Sequence, residues 1–200
     1  MKPFQVVKDF EAALCEYTGA PYAVTTTSCT MAILLACAWW KKKKGSKIVT
    51  LPKRTYIGVP MSVIHAGHKV SFVDGNWIGK YRLYPFPVFD SARHFTSGMY
   101  SSGWMYCLSF HWNKTLGIQQ GGAILLEDTE ADAWLRKARF DGRTEGVPPS
   151  LDTFDVLGYH AYMSPEVAAE GLVRLSHLPK HNEPLPNDDY PDLSKFEIFK

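Results

Sequence analysis

The chain has 200 residues, of which 46% are hydrophobic and 14% aromatic, and its formal net charge is +2. This length supports one domain with a substantial buried core, and the near-neutral charge argues against a dedicated nucleic-acid binder. No run of eighteen apolar residues and no charged-then-apolar leader occurs, so we expect no membrane partner and no signal peptide. The four cysteines form no C-x-x-C pair, so we expect free thiols, a cytoplasmic location and no metal site.

The first third of the chain alternates between helix and strand patterns. Apolar residues at helical spacing predict a helix over 4–19 that ends at Gly19, a common residue at helix C-termini. A β-branched run at 22–26 leads into a hydroxyl-rich boundary and then an apolar helix over 31–40. The four lysines at 41–44 suit the last turn of that helix, where cations interact favourably with the helix dipole.

The alternation continues to residue 140. Helices are predicted over 57–66, despite Pro60, and over 129–140, which has an acidic first turn and a basic last turn. Further strands are predicted at 47–51, 69–74, 86–90, 105–110 and 121–128. Strands interleaved with helices indicate an α/β fold with a mostly parallel sheet flanked by helices.

The composition changes near the end of the chain. We expect one α/β domain over 1–178, followed by a proline-rich C-terminal arm over 179–200. Such an arm either embraces a second subunit or is a disordered tail, and the sequence does not separate these two interpretations.

Polar side chains follow four of the predicted strands. In chain order they are Thr27, Ser28 and Thr30; Tyr56; Asp90; and Ser109 with Lys114. Ligands of α/β sheets bind beyond the carboxyl ends of strands, so these groups are expected to meet. A helix start with hydroxyl caps binds phosphate, an aromatic ring stacks on a flat ligand, and a lysine forms a Schiff base. Each feature alone has an ordinary structural explanation, but together they match pyridoxal 5'-phosphate, whose ring nitrogen needs a carboxylate.

Several segments resemble the DegT/DnrJ/EryC1/StrS family of pyridoxal-phosphate-dependent sugar aminotransferases. They are "FEAALCEYTGAPYAVTTTSCTMAILLA", "PKRTYIGVPMSVIHAGHKVSFVD", "VFDSARHF", "SFHWNKTLGIQQGG" and "LGYHAYMSPEVAAEGLVRLSHL". The resemblance implies a truncated large domain of the aspartate-aminotransferase type (fold type I). It makes Lys114 the Schiff-base residue and Asp90 the partner of the pyridinium nitrogen. Cofactor contacts are likewise implied for Ser28, Cys29, Thr30, Tyr56, Arg93, Ser109 and His160.

The same resemblance implies a function. Most members of the family move an amino group from glutamate to a keto sugar attached to a nucleotide, so an aminotransferase with a small-molecule amino donor and keto acceptor is implied. One branch of the family carries histidine in place of the lysine and removes a sugar hydroxyl instead, and Lys114 argues against that branch. The cofactor pocket of this fold lies at a two-fold interface, which implies a homodimer.

The sequence also departs from the family pattern. Arg93 stands where a glutamine is usual, Cys29 where a glycine is usual, and His160 where an asparagine is common. Arg93 could replace the hydrogen bond of the glutamine, bind a substrate carboxylate, or form a salt bridge. Either His94 or His111 could move protons, or both could be packing residues.

Two whole segments of the family pattern are missing. Only fifteen residues separate Asp74 from Asp90, where the family has a further βα unit, and the chain stops near the expected start of the small C-terminal domain. A second hypothesis follows from these gaps: a non-catalytic or partner-dependent relic that binds the cofactor.

Overall fold

The computed structural model describes residues 4–199 and contains five α-helices and seven β-strands in that range. The helices are α1 (Gln5–Thr18), α2 (Cys29–Lys44), α3 (Gly58–His65), α4 (Thr129–Arg139) and α5 (Pro165–His177). The strands are β1 (Tyr22–Thr26), β2 (Ile48–Pro52), β3 (Lys69–Val73), β4 (Tyr81–Arg82), β5 (Val88–Asp90), β6 (Met105–Ser109) and β7 (Gly122–Leu126). The predicted helices and strands are therefore confirmed, with α2 extending two residues further back and through the four lysines.

The main sheet has five strands in the order β1-β7-β6-β5-β4. Only β5 and β6 pair in parallel, whereas β1 with β7, β6 with β7, and β4 with β5 are antiparallel. The α/β class is confirmed, but the prediction of a mostly parallel sheet is wrong for this sheet. For β4 and β5 the reason is the length of the connection, because only residues 83–87 join them and a parallel crossover needs a dozen or more residues.

The strands that matter for function nevertheless point the same way. Because β7 runs opposite to both β1 and β6, strands β1, β5 and β6 share one direction. Strands β2 and β3 form a separate parallel pair, which meets the main sheet at an isolated antiparallel bridge between Thr50 and Tyr84. The carboxyl ends of β1, β5 and β6 therefore lie at one edge of the main sheet.

Both faces of the main sheet are covered. In β7, Ile124 and Leu126 belong to the apolar cluster that contains α2, whereas Ala123 and Leu125 belong to the cluster that contains α1 and α5. All five residues of β7 are buried, which is the pattern of a strand packed between two helical layers. The fold thus holds the sheet edge between rigid layers.

The C-terminal arm lies along its own chain. The Tyr17 hydroxyl donates to the Pro179 carbonyl at 2.6 Å, and the Leu193 N–H donates to the Lys53 carbonyl at 2.8 Å. Leu193 is fully buried. These contacts do not fit a disordered tail, and an arm that embraces a second subunit stays a prediction. The division into a domain over 1–178 and an arm over 179–200 stays a prediction, and residues 1–3 and 200 lie outside the described range.

Among residues 4–199, no helix has the length and apolar character needed to cross a membrane.

Candidate active site

A cavity of about 490 Å³ opens at the carboxyl edge of the main sheet. Eight of the nine site residues that the sequence predicted line it, namely Ser28, Cys29, Thr30, Tyr56, Asp90, Arg93, Ser109 and Lys114. They come from the ends of β1, β5 and β6, the start of α2 and the segment after β2. The convergence of polar strand ends that the sequence indicated is present in the folded chain.

The start of α2 forms one wall of the cavity. Ser28 is its N-cap, with an extended backbone, and its Oγ accepts a hydrogen bond from the Met31 N–H at 3.2 Å. The first N–H groups of a helix have no acceptor within the helix, so those of Cys29 and Thr30 are available to an anion. This end of the helix suits a phosphate.

Gly122, the second residue of the glycine pair after the Lys114 loop, is required for steric reasons. A Cβ atom on Gly122 would lie 2.5 Å from the backbone N of Cys29 and 2.5 Å from the carbonyl C of Ser28. It would also lie 2.8 Å from the Leu108 carbonyl oxygen. Backbone atoms cannot yield as a side chain can, so β7 meets the start of α2 only because residue 122 lacks a side chain. The cradle at the helix start therefore depends on this glycine.

Asp90 places a buried carboxylate at the end of β5. Its side chain is 4% exposed, and Oδ1 accepts the Ala92 N–H at 2.9 Å. The Cys29 thiol donates to the same oxygen at 3.9 Å. Burial raises the pKa of Asp90, and the hydrogen bonds from Ala92 and Tyr81 together with the charge of Lys114 oppose that rise. A cationic ring nitrogen would stabilise this carboxylate.

Lys114 lies on the loop between β6 and β7, where its backbone N–H donates to the His111 carbonyl at 2.8 Å. Burial lowers the pKa of its amine, the Arg93 cation lowers it further, and Asp188 and Asp90 act in the opposite direction. A lysine with a lowered pKa has a larger neutral fraction at a given pH and is a better nucleophile. These features distinguish Lys114 from an ordinary surface charge.

Not every predicted residue lies within the cavity as expected. Tyr56 lines it, but its side chain is 55% exposed. His160 lies outside the lining, where its exposed ring contacts Asp141, with 3.0 Å between Nδ1 and Oδ2. That His160 contacts the cofactor of a neighbouring subunit stays a prediction. Of the two candidate proton carriers, His111 lines the cavity and His94 does not.

Sequence reasoning missed the contribution of the arm. Asp188 and Tyr190 line the cavity, and Asp188 forms an ion pair with Arg93. Trp77 also lines it, with its ring stacked near that of Tyr190 at 6.3 Å between centroids. No spacing rule connects a residue near position 190 with one near 93. The one sequence signal for this contact was the acidic pair Asp188 and Asp189 in the arm.

A second cavity, of about 630 Å³, lies between α1 and α4. Most of its charged groups have partners: Arg136 contacts Glu11 at 2.7 Å and Lys137 contacts Asp155 at 2.7 Å, whereas Arg143 lies over the Phe140 ring. It contains none of the strand-end residues, and its arrangement indicates a stabilising ion-pair network and not a reactive centre.

Comparison with known proteins decides the family. The model of the DegT/DnrJ/EryC1/StrS aminotransferase family matches residues 2–77 and 98–184. The chain belongs to this family. The interval without a match, 78–97, holds the short β4–β5 hairpin together with Asp90 and Arg93, so these two residues lie outside the matched region.

Individual relatives agree with the family match. A UDP-4-amino-4,6-dideoxy-N-acetyl-beta-L-altrosamine transaminase from Campylobacter jejuni subsp. jejuni serotype O:2 is 25% identical over 88% of this chain and 57% of its own length. Among solved structures, AtS13 from Actinomadura melliaura has a TM-score of 0.76 at 19% identity, covering 86% of this family member and 59% of that protein.

A third relative is Helicobacter pylori PseC, an aminotransferase involved in the biosynthesis of pseudoaminic acid. It has a TM-score of 0.72 at 17% identity, covering 86% of this chain and 57% of its own. The two structural likenesses show the fold. The chain thus spans a little under 60% of the length of these relatives.

Proposed function

We propose that this family member binds pyridoxal 5'-phosphate in the 490 Å³ cavity and acts in transamination. The amino group would pass from an amino acid, glutamate being the first candidate, to a keto group on a nucleotide-linked sugar. The observation that carries the proposal is the meeting of the Lys114 amine and the buried Asp90 carboxylate beside the cradle at the start of α2. The transaminase name of the Campylobacter relative supports the reaction type and the sugar acceptor.

The residues present fit this cofactor. Ser28, Thr30, Ser109 and the first N–H groups of α2 would hold the phosphate. When bound, the cofactor supplies an electrophilic carbon and a ring that accepts electrons. Asp90 would hold a proton at the ring nitrogen, because a buried carboxylate is stabilised by an adjacent cation.

Lys114 would act twice. Its Nζ, whose pKa burial lowers, would be the amine that holds the cofactor in the cavity. When it is not holding the cofactor, the same Nζ would accept a proton from the substrate carbon and donate it back, as a general base and acid. His111 also lines the cavity, with its Nδ1 atom 2.8 Å from the Asn113 side-chain oxygen.

We further propose that the site is completed at a two-fold interface in the cytoplasm. The exposed position of His160 then allows it to reach the cofactor of a second subunit. The second candidate, a cofactor-binding relic or a chain that needs a longer partner, is favoured by the short β4–β5 hairpin, which lies in the interval 78–97 that the family model does not match.

An absorbance spectrum with pyridoxal phosphate tests the proposal. We expect a visible band for the wild-type chain that is absent in Lys114→Ala, because Lys114 is the only lysine among the described residues that line the cavity. Reduction with borohydride and peptide mass spectrometry should place the covalent adduct on Lys114. Lys44, which is exposed at the end of α2, provides the matched control as Lys44→Ala and should leave the band unchanged.

Addition of glutamate separates the two candidates. A Lys114-dependent band that glutamate bleaches establishes a half-reaction of transamination. A band that no amino acid bleaches supports the relic. No band in the wild-type chain would remove the catalytic assignment altogether.

A further inference from the structure

The arm encloses the guanidinium of Arg93. Its Nε donates to the Tyr190 hydroxyl at 3.2 Å, and one terminal nitrogen donates to the Pro186 carbonyl. The other terminal nitrogen forms an ion pair with the Asp188 carboxylate. The Arg93 side chain is 6% exposed, whereas that of Asp188 is 59% exposed. A buried cation at the cavity is therefore neutralised by an acid that reaches it from the solvent side.

The segment that carries these groups is fixed at both ends. At one end the Leu185 N–H donates to the Arg93 carbonyl at 2.8 Å, and at the other the Leu193 N–H donates to the Lys53 carbonyl at 2.8 Å. We name the residues between these anchors, 186–192, the strap. Asp192 makes local hydrogen bonds with Ser194 and Lys195. The other hydrogen bonds described between the strap and the rest of the chain each use a side chain, from Arg93, Arg54 or Asn187. A segment held in this way can open locally without unfolding the domain.

The chemistry of Arg93 indicates what it binds. Its planar fork of N–H donors matches a carboxylate, and such pairs are charge-assisted hydrogen bonds. In this structure one terminal nitrogen of the fork pairs with the chain's own carboxylate, while the other donors contact the Pro186 carbonyl and the Tyr190 hydroxyl. Both Arg93 and Asp188 line the cavity that contains Lys114. The arrangement is that of a binding residue occupied by an internal ligand.

We propose that Arg93 is the carboxylate-binding residue of the cavity, and that Asp188 of the strap occupies it until a carboxylate ligand displaces it. The carboxylate site stands on the contacts of Arg93. Only the identification of the ligand as the amino-acid donor rests on the proposed function. A carboxylate binds Arg93 only in chains whose strap is open. Its apparent affinity is therefore its intrinsic affinity multiplied by the fraction of such chains.

The test is titration calorimetry with glutarate, a dicarboxylate that has no amino group and so needs no cofactor chemistry. In Asp188→Asn the strap keeps its shape but loses its charge, and we expect glutarate to bind about three- to tenfold more tightly than in the wild-type chain. Asp189→Asn removes the same charge from the adjacent exposed residue and should leave the affinity unchanged. Arg93→Gln should abolish binding.

A second variant keeps the proposal testable if Asp188→Asn does not fold. Tyr190→Phe removes a hydroxyl that contacts both Arg93 and Asp188 at 3.2 Å, and it should shift the affinity in the same direction by less. Equal affinities in the wild-type chain, Asp188→Asn and Asp189→Asn would overturn the competition. No glutarate binding in either Asp188→Asn or Tyr190→Phe would overturn the carboxylate site itself.

The two proposals of this article can fail separately. A chain that tightens glutarate binding on Asp188→Asn but gives no Lys114-dependent absorbance keeps the carboxylate site and loses the transaminase. A chain whose Lys114-dependent band is bleached by glutamate, but in which Asp188→Asn has no effect on glutarate binding, keeps the transaminase and loses the strap.

Discussion

Lys114 shares its cavity with one cation and two carboxylates, and this balance determines when its amine can react. Burial and Arg93 both lower its pKa, so the neutral amine is present at lower pH than for an ordinary lysine. We predict that Lys114 in the cofactor-free chain is modified by formaldehyde and cyanoborohydride at a lower pH than exposed Lys44. Peptide mass spectrometry across a pH series gives both rates in one sample.

Replacement of Arg93 provides the control for this prediction. Arg93→Gln removes the neighbouring cation, so the pKa of Lys114 should rise and its reactivity profile should move to higher pH. If Lys114 and Lys44 follow the same profile in the wild-type chain, the lysine is an ordinary surface charge.

The sequence identified the residues at strand ends and missed those on the arm. Ser28, Asp90 and Lys114 each follow a recognisable strand, and the geometry of an α/β sheet brings such positions together. Asp188 reaches the cavity through an irregular segment. Its position depends on its ion pair with Arg93 and on the hydrogen bond of the neighbouring Asn187 to the Trp77 carbonyl, which no local pattern encodes. The structure also provides a partner for Arg93, the salt bridge that the sequence left as one of three interpretations.

At the level of elements, the order of helices and strands was predictable but the directions of the strands were not. The helical spacing of apolar residues locates α1 and α4, and apolar or β-branched runs locate α2 and most strands. Strand direction instead depends on connection length, and the short β4–β5 hairpin takes the place of a βα unit that would have given a parallel neighbour. The carboxyl ends of β1, β5 and β6 still lie at one edge of the sheet, because these three strands share one direction.

The junction of β7 with α2 gives a prediction at this scale. Gly122→Ala should push the start of α2 away from the strand, because the new Cβ would lie 2.5 Å from two backbone atoms. We expect a loss of about 1 to 3 kcal/mol in the free energy of unfolding. Affinity for pyridoxal phosphate, measured by equilibrium dialysis, should fall at least about tenfold, since a 1.4 kcal/mol weakening of the phosphate contacts suffices for that change.

Gly75→Ala is the matched control for that substitution. A Cβ at Gly75 meets no atom within 4 Å, so its replacement should change neither the stability nor the affinity. If Gly122→Ala behaves like Gly75→Ala, the cradle does not depend on the close approach of β7.

At the level of the whole molecule, a buried ion-pair network joins the N-terminal helix to the rest of the domain. Glu11 of α1 contacts Arg136 of α4 at 2.7 Å, and it also pairs with Arg139, which is fully buried. Arg139 donates to the Thr25 carbonyl of β1 at 2.7 Å and contacts Glu145 at 3.0 Å. The network therefore fixes α4 against α1 and β1, on the layer that supports the functional edge of the sheet.

The network predicts a specific acid sensitivity. Burial alone would raise the pKa of Glu11, but the charges of Arg139 and Arg136 lower it below its ordinary value of 4.5. A lowered pKa in the folded state stabilises the fold above pH 4.5, and this contribution is lost as the pH falls below that value. Glu11→Gln should cost about 3 kcal/mol at pH 7, because it leaves Arg139 buried beside one remaining carboxylate.

Urea unfolding of the two chains across the acid range measures this difference. The gap in unfolding free energy between wild type and Glu11→Gln should be widest at neutral pH and should narrow below pH 4.5. Glu130→Gln breaks an exposed pair with Lys43 and should cost less than about 1 kcal/mol at any pH. A gap that stays constant down to acid pH would mean that Glu11 acts through its shape and hydrogen bonds, and that its charge contributes nothing to stability.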